Sequence, residues 1–177
     1  MVWVRAEYAG PLAVVSTWLA AFVPWNVTYS PDIAGGSVLF VRFPFFQVRY
    51  AFDVAAARRV AVSDPLSATA LQAGQTIQAA YQAWTVGAAI LAVAVVLAVA
   101  YYRDEESVES WPVDPVRLLG ALLTLSGLVL VVATYLLATR GFPGVPLPIG
   151  VVFLLLFGGI LLTVDRTPPS SAPESEA

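Results

Sequence analysis

The sequence predicts an all-α membrane protein: a four-transmembrane-helix bundle with a small extramembrane β-hairpin between helices 1 and 2. Three observations carry that reading. Four stretches, 8–31, 65–102, 118–139 and 141–164, each run more than twenty residues without a charged side chain. About 20 apolar residues in a helix cross the hydrocarbon core of a bilayer. The 177 residues are 59% hydrophobic and only 12% charged, where a soluble domain is about a quarter charged. Mean hydropathy is +0.78. Finally, the aromatic and β-branched residues that favour strands crowd into one connection, 37–52.

The first span is read at 11–25. Gly10-Pro11 opens it, since proline suits a first helical turn, and Pro24-Trp25 closes it. A cleaved signal peptide is the rival reading, but Trp, Phe and Pro crowd its end and no A-x-A site follows. The external loop covers 26–64. Within it Pro44 argues against a regular helix or a central strand. A hairpin turning at 44–47 is the preferred reading, and a broken interfacial helix the alternative.

Asp64-Pro65 is a helix start, with Asp as N-cap and Pro at the first helical position. Helix 2 is expected to run unbroken to about residue 102, near 57 Å at 1.5 Å per residue. Its first third is polar, so it should extend outward and span the membrane only over 83–102. The loop 103–116 is acidic and solvated. Spans three and four are read at 117–139 and 149–164, joined by a tight Gly/Pro turn. Residues 1–166 form one polytopic membrane domain, and 167–177 a disordered acidic tail.

Composition excludes much chemistry. There is no Cys and no His, which removes disulfides, thiol redox, His or Cys haem ligation, Fe–S clusters and ordinary zinc sites. Ser-His-Asp and Cys-His catalysis go with them. All nine basic residues are Arg, and the net charge is −3. No basic patch is dense enough for nucleic acid, so no nucleic-acid partner is expected. No ionisable residue lies inside the four apolar cores, where ion and proton paths usually mark themselves.

Arg42 and Arg49 are the sharpest candidate site. A hairpin turning at 44–47 sets them opposite each other, and facing like charges destabilise a hairpin unless an anion sits between. Arginine grips phosphate bidentately, so a lipid-headgroup contact is the functional reading. Snorkelling to water, or pairing with Asp32 and Asp53, is the plainer one. Asn26-Val27-Thr28 is a glycosylation sequon. Gln75, Gln78 and Gln82 share a helical face and fit hydrogen bonding to the long loop. Gly120, Gly127 and Gly158-Gly159 fit close helix packing. Asp104, Glu105, Glu106, Glu109 and Asp114 match no calcium-loop spacing.

The run MVWVRAEYAGPLAVVSTWLAAFVPWNVTY, followed by VLFVRFPFFQVRYAF, resembles a family of small uncharacterised membrane proteins of halophilic archaea. The likeness covers the first third of the chain and the order of the later spans. That family has no assigned activity, so the resemblance lends no catalytic residues.

The expected function is therefore a non-enzymatic subunit or scaffold of a membrane assembly, with a small transport or channel component acting as an oligomer as the alternative. No catalytic residue, cofactor or metal is expected. Expected partners are membrane lipids and another membrane protein or a second copy. The expected place is the cell membrane, multi-pass. The short loops carry two Arg on the side of the termini against one on the other, which puts both termini in the cytoplasm by the positive-inside rule.

Overall fold

The computed structural model describes residues 2–54 and 58–167. The tail from 168 onward lies outside them, as do the side chains of Arg5 and Arg166. The all-α expectation is overturned: the fold is mixed α/β, with a five-stranded antiparallel sheet where only a hairpin was foreseen.

The chain opens with β1 (Val2–Arg5) and α1 (Ala6–Phe22), then β2 (Asn26–Ile33), β3 (Gly36–Arg42), β4 (Gln47–Phe52) and β5 (Val60–Ser63). Next come α2 (Pro65–Leu71), α3 (Gln78–Arg103), α4 (Glu105–Glu109) and α5 (Pro115–Thr139). The short β6 (Val145–Leu147) leads into α6 (Ile149–Thr163), and β7 (Val164–Thr167) closes the described chain. Strand order in the sheet is β5-β4-β3-β2-β6, while β1 and β7 form a separate parallel pair.

Among the described residues, α3 and α5 are the helices long and apolar enough to cross a membrane; α1 and α6 are shorter apolar helices. At 17 and 15 residues they reach about 26 and 23 Å, short of the roughly 30 Å core. α3 packs on α5 and α5 on α6, with α1 against all three. Leu91, Leu119, Leu123, Leu130, Leu154 and Leu161 form the buried seam.

Glycines set the helix approach. A Cβ on Gly158 would sit 2.3 Å from Thr124 Oγ1 and 2.9 Å from the Gly120 carbonyl oxygen. Ser126 Oγ donates to the Gly87 carbonyl at 2.9 Å and ties α5 to α3. Gly159, by contrast, faces open space.

Two local differences from the sequence reading matter. The long helix from Pro65 is two helices, because the chain turns at Gly74, whose φ of +78° suits glycine. α2 then packs on α3, with Thr69 Oγ1 and Thr85 Oγ1 at 3.1 Å. The hairpin turn is also tighter than expected. Phe43 N–H donates to Phe46 O at 2.7 Å, leaving Pro44-Phe45 at the tip, and the Phe43 and Phe46 rings stack at 4.6 Å.

Asp64 caps α2 as the sequence suggests, accepting from Leu66 N–H and Ser67 N–H at 2.9 Å. The Ser67 hydroxyl and backbone N–H hold its carboxyl below the ordinary 3.8. A depressed folded-state pKa gives a contribution complete above the unfolded value and lost as pH falls through the folded one. Amide exchange at Leu66 and Ser67 is therefore expected to accelerate specifically as pH drops below about 4. Exchange that tracks only the intrinsic pH dependence would refute the cap's role.

Candidate functional site

The sheet is built with its polarity reversed. Cross-strand partners share a face, and alternate residues point to opposite faces. The face toward the helices carries Asn26, Thr28 and Ser30 from β2, Val38, Phe40 and Arg42 from β3, and Gln47, Arg49 and Ala51 from β4. Asn26, Thr28, Ser30 and Arg42 are fully buried. The face away from the helices is apolar. It holds two complete rows across five strands: Val60, Tyr50, Leu39, Tyr29, Val145, and Val62, Val48, Val41, Val27, Leu147.

Arg42 is the centre of the inner face. Its Nη1 donates to Asn26 Oδ1 at 2.9 Å and to Thr28 Oγ1 at 3.0 Å. Its Nη2 donates to the Tyr81 hydroxyl of α3 at 3.3 Å. The guanidinium carbon lies 4.5 Å from the Phe142 ring centroid, 4.9 Å from Phe40 and 5.7 Å from Tyr81. Among the described residues this is a cation held by neutral oxygens and ring faces, with no carboxylate among its contacts. Burial pushes its pKa down from the ordinary value, and Tyr81 acts in the opposite direction. Such a charge is costly to bury. Planar guanidinium is the cationic group best suited to it, because it is weakly hydrated and stacks on rings.

The surroundings lock the site shut. Trp84 Nε1 donates to the Pro44 carbonyl at 2.9 Å and pins the hairpin tip to α3. Trp25 packs on Trp84 at 6.1 Å. Ser30 Oγ donates to the Pro143 carbonyl. The gap lined by Trp25, Arg42, Ala80, Tyr81, Trp84 and Leu137 admits no water-sized sphere. Arg42 therefore works as a clamp between sheet and helices, and has no room for an anion.

The other sequence candidates fall as follows. Arg42 pairs with Gln47 across the hairpin, and Arg49 with Phe40, so the two arginines are diagonal neighbours rather than opposite. Arg49 is half-buried, and its Nε has no hydrogen-bond partner. Asn26 is buried, with its amide oxygen taken by Arg42 and Thr28. A glycan there cannot coexist with this fold, and a glycosylating host is expected to yield protein whose mobility a glycosidase does not change. Gln78 and Gln75 serve the α2–α3 turn through Gly74 N–H and the Leu71 carbonyl. Asp104 and Asp114 cap α4 and α5, and Glu109 accepts from the Tyr101 hydroxyl at 2.9 Å. Among the described residues no group of three His, Cys, Asp or Glu could hold a metal ion. A separate cleft of about 300 Å³ lies between α1 and α3, lined by Pro11, Trp18, Tyr101, Tyr102 and Glu105 among others.

Sequence reasoning missed Tyr81, Phe142 and Thr28 as partners of Arg42. One signal was available: an Arg two residues after Phe40 in a strand, with Asn26 and Gln47 as its cross-strand partners. The family of unknown function DUF7549 matches the chain over residues 2–166. No curated protein matches it.

Proposed function

The chain belongs to that family of unknown function, and from its own residues we propose a non-enzymatic, multi-pass protein of the cell membrane that acts as a subunit or scaffold. Its sheet serves as a docking platform at the membrane surface. The observation that carries this reading is the reversed sheet: its ten-residue outer face is apolar and uncharged while its inner face spends an arginine on the helices.

The membrane part rests on exposure as well as composition. The most apolar windows of α3 and α5 have mean hydropathies of 2.4 and 2.3, yet only 39% and 33% of each is buried. A soluble core helix would hide that surface. Val86, Val93, Val96, Leu125, Leu128 and Val132 instead point outward, at about 25 cal/mol per Å² in water, so hydrocarbon is the fitting solvent. Phe45 and Phe46 are exposed at the hairpin tip that Trp84 pins to α3, and they suit the membrane–water interface. Asp32, Asp53, Arg58 and Arg59 are exposed near the far ends of the strands, and there they reach water.

With both termini cytoplasmic and the shorter α1 and α6 crossing by local thinning of the bilayer, the sheet faces outside. The chain has no Cys, so a single introduced thiol reports its own side. Thr76→Cys should react with an impermeant maleimide on intact cells, and Ser110→Cys only after permeabilisation. The reverse pattern would invert the orientation, and extraction of the protein by alkaline carbonate would end the membrane reading. Native mass spectrometry after gentle extraction should show an assembly of fixed stoichiometry; a bare monomer under every mild condition would reject the scaffold role.

A further inference from the structure

Resting on that platform reading, we infer that the occupant of the outer sheet face is a second copy of this chain, docked face to face about a two-fold axis. Three features of the face lead there.

The first is area. The ten residues of the two rows, with Phe52 beside them, leave on the order of several hundred Å² exposed, at or beyond the ~300–600 Å² of the largest apolar patch on a typical monomer and of the order of the ~800 Å² per partner of a stable interface. Val145, Val62, Tyr29 and Leu147 are each more than half exposed.

The second is charge. A two-fold interface brings a patch against itself, so any charge near the axis meets its own copy. Neither row contains a charge. The charged residues Asp32, Asp53, Arg58 and Arg59 lie beyond the rows at one end, where both signs are present and exposed. An apolar centre with a polar rim is the anatomy of a protein interface. Lipid fits less well, because those same charges hold the far end of the face out of the hydrocarbon.

The third is shape. Five strands with β-branched and aromatic side chains on one face are half of a β-sandwich, and two such faces pack about 10 Å apart with their side chains interdigitated. Leu39 lies in the central strand, with Tyr29 and Tyr50 as its register partners, so it falls near the two-fold axis.

The test uses the full chain in native membranes. In Leu39→Cys, a bis-maleimide spanning about 10 Å should yield a homodimer. Leu39→Glu and Leu39→Lys should each weaken dimerisation by roughly tenfold or more through like charges across the axis, and co-expression of the two should restore a mixed dimer. If either variant fails to fold, Val41→Glu and Val41→Lys, on the same face of the same central strand, provide the same pair. No cross-linked homodimer, or a dimer that Leu39→Glu leaves intact, overturns the proposal. Val62→Cys then separates the two readings. Slow maleimide labelling in membranes would keep the platform with lipid or a different protein on it. Labelling as fast as in denatured protein would remove the platform as well.

Discussion

Arg42→Ala is expected to destabilise the protein by about 3–4 kcal/mol, the largest effect of any single substitution in the sheet. Two terms oppose each other. Removing the guanidinium relieves the cost of burying a charge without a carboxylate, a penalty of several kcal/mol before compensation. It also takes a donor from Thr28 Oγ1 and the Tyr81 hydroxyl, while Asn26 Oδ1 keeps only the Thr28 hydroxyl. Each buried polar group stranded in this way costs about 1–3 kcal/mol. Three ring contacts are lost too, at about 0.5–2 kcal/mol each, and a cavity opens in a site already closed to water. The losses outweigh the relief. Arg42→Met restores volume but not the donors, and should recover about 1 kcal/mol of the loss. Arg42→Lys keeps the charge but loses the planar fork, and should be no better than Ala. Thermal or denaturant unfolding in a fixed detergent measures all three. A Met variant more stable than the native chain would show that the arginine is retained for something other than stability.

Gly158→Leu should cost about 2–4 kcal/mol and loosen α6 from α5. Even a bare Cβ at this position would meet Thr124 N at 2.8 Å and the Gly120 carbonyl at 2.9 Å, both backbone atoms that cannot swing aside. Overpacking of this kind typically costs about 1–3 kcal/mol, and more where only whole helices can move. The neighbouring residue supplies the control. Gly159 faces open space, so Gly159→Ala should be neutral or stabilising by up to about 1 kcal/mol, since alanine favours the helix. Equal effects at the two sites would mean that α6 does not pack as described.

The contrast between those glycines bears on what a sequence exposes. Searching within each helix for GxxxG finds nothing, because the close approach uses Gly120 from α5 and Gly158 from α6. The apolar helices were legible, since length and hydropathy act locally. So was the Asp64-Pro65 cap, where donor and acceptor lie within three residues. The hairpin was legible as a turn, but its register was off by two residues, which misplaced Arg42 opposite Arg49. The rest of the sheet was hidden by its polarity. A strand reading looks for apolar residues facing the core, and β2 buries Asn26, Thr28 and Ser30 while turning Val27 and Tyr29 outward. β5 and β6 have only four and three residues, too few to show a period. Arg42 carried the same trap: arginine is rarely fully buried, and the hydroxyl that accepts from it lies 39 positions away on α3.

One consequence concerns the order in which the chain is made. Of the five strands of the sheet β2 is made first, yet its outer neighbour β6 comes more than a hundred residues later, after α5. β1 likewise waits for β7, the last strand among the described residues. Until then, β2 offers an open row of N–H and C=O groups to any passing strand. Its closure therefore reports that α5 has been synthesised and seated, so the fold carries its own completion signal. A chain stalled or clipped before residue 145 would leave that edge of β2 unpaired.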